Sequence, residues 1–250
     1  MTSFLTHIHS ELRRALLTRS GATHRPEDVP QGLHKTYPRM RQIQLPQPEK
    51  IDTKLMDVLR SRTSARGGNL HIPLTLQELG TLVGLALEKR PDSLHRNYPS
   101  GGALYPIETY VISTALESQE PGVFHYNPSA HVLERLWDLP KDFDMSDTGK
   151  YPAFLVTSTL IVFTSVWKRS SAKYGNFTYG VALVEVGHMS ENLLLVGTAL
   201  GLNLRPFAGF NDDGIAKLLD LDETQEQPVH AITISKGKST HTDTAPVSEE

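Results

Sequence analysis

The segment 181–200 most constrains how this chain can fold, because it is apolar around nearly its whole helical circumference and is followed by Gly201, a residue suited to ending a helix. A helix of this kind needs apolar cover on every side, so it belongs in a protein core or in a large subunit interface. Glu185 and His188 interrupt it with side chains that are costly in hydrocarbon, so it is not a membrane span. The sequence therefore favours a protein that buries this helix against a second copy of itself.

Helical and strand patterns are mixed along the rest of the chain. Residues 75–78 form a capping box that predicts the start of a helix. Residues 107–114, 153–166 and 229–234 have the apolar, β-branched or alternating patterns that predict strands. Because strands and helices do not alternate regularly, an α+β fold is favoured over a doubly wound parallel sheet.

Three regions differ in composition. Residues 1–50 are predicted to form an N-terminal helix and a proline-rich extended arm, which could wrap a partner subunit. Residues 51–238 are predicted to form one domain, and 239–250 a flexible polar tail.

Composition excludes several classes of function. The formal net charge is −3, which provides no general field for nucleic acid, and Cys is absent, which excludes disulfides, Fe–S clusters and Cys-containing zinc sites. His7 and His9 are expected to be surface residues, and no metal site is predicted. Since neither a signal peptide nor a membrane span is found, a cytoplasmic protein without a membrane partner is expected.

Three short motifs carry candidate chemistry. Residues 62–66 place two guanidinium groups and two hydroxyls just beyond a predicted helix, which suits phosphate binding, although a solvated basic loop is the alternative. Residues 98–106 hold two glycines between two Tyr-Pro pairs, so that bare backbone can approach a flat ring, the alternative being a turn before a strand. Lys173 and Tyr174 are titratable, and Gly175 permits the irregular backbone that would let them converge.

Taken in order, these motifs resemble the nitroreductase superfamily of FMN enzymes. Within it they most resemble the azoline-oxidising SagB-type and microcin-synthetase-type dehydrogenases. The most specific parts are residues 98–108 together with Lys173 and Tyr174. The resemblance extends over residues 51–235 and also rests on Phe124–Tyr126, His131, Leu133–Glu134, Glu185, Gly187–His188, Asn192, Gly201–Leu202 and Ala208–Phe210.

The resemblance implies a mostly antiparallel sheet flanked by helices in an interlocked homodimer, with two FMN sites at the interface. It assigns contacts with the FMN phosphate and ribityl chain to Arg62, Ser64, Arg66 and Lys236. It places Ala208 and Gly209 near the reactive edge of the flavin ring, and Lys173 and Tyr174 as the catalytic pair. The residues that it places against the ring are Pro99, Ser100, Gly101, Gly102 and Ala103.

The activity implied is FMN-dependent oxidation of peptide thiazolines and oxazolines to thiazoles and oxazoles, with dioxygen reoxidising the flavin. The expected substrate is a ribosomally made precursor peptide, and the expected partners are a YcaO-type cyclodehydratase and leader-binding subunits. Tyr174 is the expected base, stabilised as phenolate by Lys173, and His188 is the next candidate.

Phe177 and Gly180 replace two arginines of the family pattern. Two alternatives are an NAD(P)H-dependent nitro or quinone reductase and a flavin-binding scaffold of a synthetase complex.

Overall fold

The computed structural model describes residues 34–65, 68–69, 71–149 and 157–237. They form a seven-stranded sheet in the order β1-β4-β3-β2-β5-β7-β6, with every neighbouring pair antiparallel. The predicted α+β fold with an antiparallel sheet flanked by helices is therefore confirmed. The elements, apart from short 3₁₀ turns, are β1 (Arg41–Gln44), α1 (Leu55–Ser61), α2 (Leu76–Leu87), β2 (Ile107–Ser113), β3 (Gly122–Asn127), β4 (Val132–Asp138), β5 (Thr159–Val166), α3 (Lys168–Tyr174), α4 (Thr178–Ala199), β6 (Asn203–Phe207), α5 (Asp212–Leu218) and β7 (Glu226–Ser235).

Some sequence predictions lie outside the described residues. These are the N-terminal helix, the first part of the extended arm, His7, His9, Arg66 and the C-terminal tail. The arm is described from residue 34 onward, and it contributes β1, which pairs with β4 along one edge of the sheet. The sheet therefore begins N-terminal to residue 51, where the domain was predicted to start.

The centre of the sheet is the pair β2 and β5. All seven residues of β2 and seven of the eight in β5 are buried, because both faces of the sheet are covered. This double cover explains why the sequence of β5 is apolar or small throughout and does not alternate. The strands pair in a continuous register from Ile107 opposite Ser165 to Ser113 opposite Thr159.

Helix α4 covers one face of the sheet and packs beside α2. Its buried side chains, among them Met189 and Leu193, join α2 and β5 residues in the main apolar cluster. No described residue covers its other side, where Tyr179, Leu183 and Val184 are 51%, 39% and 61% exposed. Within the part of the chain that the structure describes, the apolar helix is thus covered on one side only. No helix in the part of the chain that the structure describes is long and apolar enough to cross a membrane.

The helix ends follow the sequence signals. Thr75 Oγ1 accepts a hydrogen bond from the Glu78 amide at 3.0 Å, and the Glu78 carboxylate accepts one from the Thr75 amide at 2.8 Å. This pair completes the predicted capping box of α2. Gly201, with φ of 70°, provides the left-handed residue that ends α4.

Besides β1, which was predicted only as part of the extended arm, β6 and α3 were not predicted. Strand β6 contains Arg205 and Pro206, and the proline is tolerated because β6 is an edge strand with only β7 as its neighbour. Helix α3 has only seven residues, and Ser170 is its single buried residue. Both elements are too short and too polar for a periodic pattern to reveal them.

Candidate functional site

The glycine-rich segment 98–106 forms a strained turn that leads into β2. Gly102, Ala103 and Tyr105 have positive φ angles of 64°, 54° and 48°. For residues other than glycine this conformation costs about 1–3 kcal/mol each, and it persists only where the surroundings enforce it, often at functional sites. One such contact is made by Ser100, whose Oγ accepts a hydrogen bond from the Tyr105 amide at 3.0 Å.

Lys173 and Tyr174 meet this turn from the last turn of α3. A Cβ atom built on Gly102 would lie 2.6 Å from Lys173 Nζ and 2.8 Å from Tyr174 Oη. A Cβ atom on Gly101 would lie 2.5 Å from Val181 Cγ1. Both glycines are therefore required by close approach, and in Gly102 the positive φ adds a second reason.

The two side chains of the pair converge from a helix end, which differs from the irregular turn expected. Gly175, with φ of 55°, ends α3 after Tyr174. Lys173 Nζ lies 5.5 Å from the centroid of the Tyr174 ring, so an ammonium and a phenol share one side of the glycine turn. This arrangement can hold a proton acceptor beside backbone that a flat ligand could approach.

The strand register brings these two motifs together. Segment 98–106 enters β2 at Ile107, and α3 leaves β5 just beyond Val166. Because Ile107 is paired with Ser165, both motifs emerge at the same end of the sheet. Segment 98–106 and the Lys173–Tyr174 pair are far apart in the sequence, and the pairing of β2 with β5 explains why they are in contact.

The predicted phosphate-binding residues lie beyond α1. The Ala65 amide donates to the Leu204 carbonyl at 3.0 Å, so the segment that carries Arg62 and Ser64 packs against edge strand β6. Arg62 is half-buried and Ser64 is exposed. The Arg62 amide donates to the Val58 carbonyl at 2.9 Å, but its guanidinium makes no hydrogen bond or ion pair with any other described residue.

Lys236 lies just after β7, near the same segment. The Asn69 amide donates to the Lys236 carbonyl at 2.7 Å, and Gly68 packs against that carbonyl so tightly that a Cβ there would lie 2.5 Å from it. The Lys236 ammonium is already paired with the Glu78 carboxylate, at 2.8 and 2.9 Å. An ammonium has three donors, so Lys236 can still contact a further anion.

The predicted phosphate-binding residues and the predicted catalytic pair lie at opposite ends of the sheet. Lys236 lies beyond Ile234, which pairs with Thr159 at the start of β5, whereas Lys173 follows the end of β5. Eight residues of strand separate the two ends by about 23 Å. One chain therefore does not bring its phosphate-binding residues beside its own glycine turn.

Ala208 and Gly209 follow β6. Ala208 lines a cavity of about 500 Å³ together with Trp167, Tyr179 and Leu183, near the N-terminal half of α4. Gly209 is the next residue in the chain but is not among the lining residues. The cavity borders the exposed apolar side of α4, so a partner on that side would also close the cavity.

Glu185 of α4 contacts the glycine turn through Ser100, a role that the sequence did not indicate. Ser100 Oγ donates to Glu185 Oε2 at 2.5 Å. Glu185 Oε1 is buried and has no hydrogen-bond partner among the described residues. Burial raises the pKa of Glu185 to about 7, although the Ser100 hydrogen bond and the positive charges of Arg96 and Arg169 act in the opposite direction. The signal available in the sequence was a charged glutamate about one turn into the otherwise apolar helical segment 181–200.

We expect Glu185→Gln to stabilise the protein at pH 8 and to have little effect at pH 5. A carboxyl with a raised pKa holds a proton in the folded state that the unfolded state has lost, so wild-type stability falls as the pH rises from about 4.5 towards 7. A shift of this size corresponds to about 3 kcal/mol at high pH. Urea unfolding at both pH values measures the difference, and Glu191→Gln, an exposed glutamate on α4, is the control. Equal effects of Glu185→Gln at the two pH values would contradict a raised pKa of Glu185 in the folded protein.

Comparison with known proteins identifies the family. The Nitroreductase family model matches residues 59–238, which is most of the chain. The protein named nitroreductase MJ1384 of Methanocaldococcus jannaschii is 31% identical over 183 residues, covering 73% of this chain and 91% of its own. The microcin B17-processing protein McbC of Escherichia coli is 34% identical over 167 residues. The trifolitoxin-processing protein TfxB of Rhizobium leguminosarum is 25% identical over 163 residues.

Coverage of the two processing proteins is partial. The alignments span 62% of this chain and 58% of McbC, and 60% of this chain and 42% of TfxB. Among solved structures, the Escherichia coli microcin synthetase McbBCD complex with truncated pro-MccB17 bound matches with a TM-score of 0.65 and 26% identity, covering 76% of this chain and 75% of the matched one. A nitroreductase from Anabaena variabilis matches in fold, with a TM-score of 0.70 and 22% identity over 80% of this chain and 42% of its own.

The family match covers the strained turn, Lys173 and Tyr174, the sheet centre and α4. The resemblance seen in the sequence is thus confirmed at the level of the family, and its microcin-processing members are among the relatives. The chain belongs to the nitroreductase family.

Proposed function

We propose that this protein is an FMN-dependent dehydrogenase that oxidises azoline rings in a ribosomally made peptide to azoles. The observation that carries the proposal is the pair Lys173 and Tyr174, held against the bare backbone of Gly101 and Gly102. The partial likeness to McbC and TfxB, which process peptide antibiotics by name, supports a peptide substrate.

FMN is the cofactor that the residues fit best. Nitroreductase-family proteins are flavoproteins, and the chain offers Arg62, which no described residue pairs, with the Ser64 hydroxyl and the Lys236 ammonium for a phosphate group. We propose that Arg66 adds a second guanidinium. Pro99, Ser100 and Ala103 flank the two glycines, and together with Gly102 they line a cavity of about 580 Å³ beside the turn.

The protein's own part in the reaction is to orient the ring and remove one proton. An azoline loses two hydrogens on becoming an azole: a proton leaves Cα, and a hydride leaves Cβ. When bound, FMN supplies the hydride acceptor, and dioxygen is the proposed final electron acceptor. Tyr174 takes the Cα proton as phenolate, and Lys173, whose ammonium lies 5.5 Å from the centroid of the Tyr174 ring, stabilises that anion.

A homodimer is proposed to complete each site. Apolar side chains are exposed on α1 (Leu55, Met56 and Leu59) as well as on α4, and the two helices are in contact. A two-fold axis at this surface would bury the same patch from both copies. Because the phosphate-binding residues and the glycine turn lie at opposite ends of one chain, each site would combine the first set from one copy with the second set from the other.

We expect the wild-type protein to be a dimer and Val184→Glu to be a monomer, because the substitution places a charge in the centre of the apolar side of α4. Light scattering after size-exclusion chromatography, across a dilution series, measures the mass. Leu94→Glu, at an exposed leucine outside both helices, is the control and should remain a dimer. The monomer should also lose flavin, since each site is shared. A wild-type monomer at all concentrations would refute the dimer.

Mass spectrometry of an azoline-containing peptide tests the function directly. The peptide is prepared with a YcaO-type cyclodehydratase and the leader-binding subunits, which are the proposed partners, and then treated with this protein. A loss of two hydrogens per ring supports the proposal. Rapid bleaching of the flavin by NADPH together with nitroaromatic turnover, and no change in the peptide, would instead support a nitro or quinone reductase.

One observation bears on the scaffold alternative. A Cβ atom on Gly180 would lie 3.1 Å from Phe177 Cε2, so the phenyl ring takes space that a longer side chain at 180 would need. The two replacements are therefore structurally coupled and leave the Lys173–Tyr174 geometry in place. Peptide maturation that is unaltered in the double variant Lys173→Ala with Tyr174→Phe would favour the scaffold.

A further inference from the structure

Glu108, His125 and Glu134, three residues of the recognised motifs to which no role was assigned, form a buried chain across the sheet. His125 Nε2 lies 2.9 Å from Glu108 Oε2, and His125 Nδ1 lies 2.8 Å from Glu134 Oε2. All three side chains are at most 2% exposed. Because a carboxylate faces each ring nitrogen, both nitrogens carry hydrogen and the ring is an imidazolium. Burial lowers the pKa of His125, but the two carboxylates outweigh this and raise it.

This chain ends at Arg169 on α3. The Arg169 guanidinium pairs with Glu108 Oε1 through Nη2 and donates through Nη1 to the Tyr105 carbonyl at 3.1 Å. Burial would raise the pKa of Glu108, but its hydrogen bond with His125 and the charges of His125 and Arg169 hold that pKa far below its usual value. Two carboxylates and two cations make the set neutral. Each of its members is held by charge-assisted hydrogen bonds, which are the stronger kind.

Arg169 therefore links the two halves of the candidate active site. It lies one helical turn before Lys173, and its acceptor Tyr105 belongs to the strained turn, with φ of 48°. Helix α3 has seven residues and is exposed along most of its length, so it is too short to be stable alone. Arg169 and Ser170 reach from it towards the interior, and the Ser170 hydroxyl accepts a hydrogen bond from Thr178 of the adjoining α4. The ion pair of Arg169 with Glu108 connects the helix to the start of β2.

We propose that Arg169, held in place by the Glu108–His125–Glu134 chain, is a positioning residue that fixes Lys173 and Tyr174 against the glycine turn. A buried ion pair is weak support for stability, since well-packed apolar residues often do as well. Here the ion pair fixes geometry, because the Arg169 guanidinium contacts two acceptors in fixed directions. One is the Tyr105 carbonyl in the strained turn, and the other is the Glu108 carboxylate at the start of β2.

Two variants test this while leaving each buried polar group with a hydrogen-bond partner. Arg169→Lys keeps the charge but replaces the planar fork by an ammonium, which cannot hold Glu108 and the Tyr105 carbonyl in the same geometry. Glu108→Gln keeps the shape: its amide can donate to His125 Nε2, which then loses its proton, so that no buried group is left unpaired. Lys168→Gln, at the exposed neighbouring cation on α3, is the matched control.

The first measurement needs no activity. In the flavin-loaded protein, hydrogen exchange in peptides covering residues 168–177 should be about tenfold faster in both variants, while exchange in β2 and β5 is unchanged. The control should match the wild type. Unchanged exchange at 168–177 in both variants would overturn the proposal, and so would equal acceleration over the whole sheet, which would indicate a general loss of stability.

The second measurement rests on the proposed azoline oxidation. Each variant should lower kcat about tenfold with KM unchanged. In a Tyr174→Phe background Arg169→Lys should have almost no further effect, since the group that it positions is already gone. An equal loss in both backgrounds would overturn the positioning role. A wild-type protein that leaves azoline peptides unchanged would instead overturn the proposed function, and hydrogen exchange would still decide the role of Arg169.

Discussion

Tyr174→Phe and Lys173→Ala are each expected to lower azoline oxidation by about 10²–10⁴-fold. The first removes the oxygen that takes the Cα proton, and the second removes the charge that stabilises that oxygen as an anion. Initial rates are followed by mass spectrometry of the peptide, and the spectrum of the bound flavin should stay unchanged because neither residue is among the phosphate-binding set. The double variant should lose little more activity than either single variant, since the two residues act as a unit.

Lys168→Ala is the matched control for this result. Lys168 is an exposed lysine at the start of α3, the helix that carries Lys173, so its variant should retain the wild-type rate. Near-normal oxidation by both Tyr174→Phe and Lys173→Ala would show that the base is another group. His188, which is exposed on the open side of α4, would then be the next residue to change.

Replacing Arg62 and Arg66 together by alanine is expected to give a colourless protein. Each charge-assisted hydrogen bond to a phosphate contributes about 1.5–3 kcal/mol, so the pair contributes enough to weaken flavin binding by about 10²–10⁴-fold. Flavin content is measured from the visible absorbance of purified protein and confirmed by titration with FMN. The Arg62 side chain has no ion pair to lose within the described residues, so the fold should be retained.

Arg60→Ala controls for charge. It removes an exposed cation from the last turn of α1, two residues before Arg62, and should leave the protein yellow. Full flavin occupancy in the double variant Arg62→Ala with Arg66→Ala would show that the phosphate is bound elsewhere. Circular dichroism separates loss of flavin from loss of fold.

Local signals in the sequence predicted most of the fold. The capping box at Thr75, the apolar helix before Gly201 and the strand that begins at Ile107 each depend on neighbouring residues, and each is present in the structure. A strand was predicted over residues 153–166, and β5 extends over Thr159–Val166. Residues 153–156 of that prediction lie outside the described residues.

The candidate site was predicted as separate motifs, and their meeting was not. Gly102 and Lys173 are 71 positions apart, and they are in contact only because β2 and β5 pair in one register. Arg169 shows the same limit: its partners Tyr105 and Glu108 lie in another motif, so no local pattern could indicate their contact. Long-range pairing of polar side chains is a property of the folded sheet.

The glycine turn with Lys173 and Tyr174 lies at the centre of the sheet, and the segment around Arg62 lies at its edge. These positions predict the order in which the two regions unfold. The proposed catalytic pair and the glycine turn emerge from the two central strands, where a slip of one residue would turn every β2 side chain to the wrong face and is therefore strongly opposed. The proposed phosphate-binding segment packs on β6, an edge strand with a single neighbour, and such edges open at the lowest free energy. Under mild denaturing stress the protein should release its cofactor while Lys173 and Tyr174 still face the turn. Cofactor loss would then be a reversible early step, separate from the loss of the catalytic geometry.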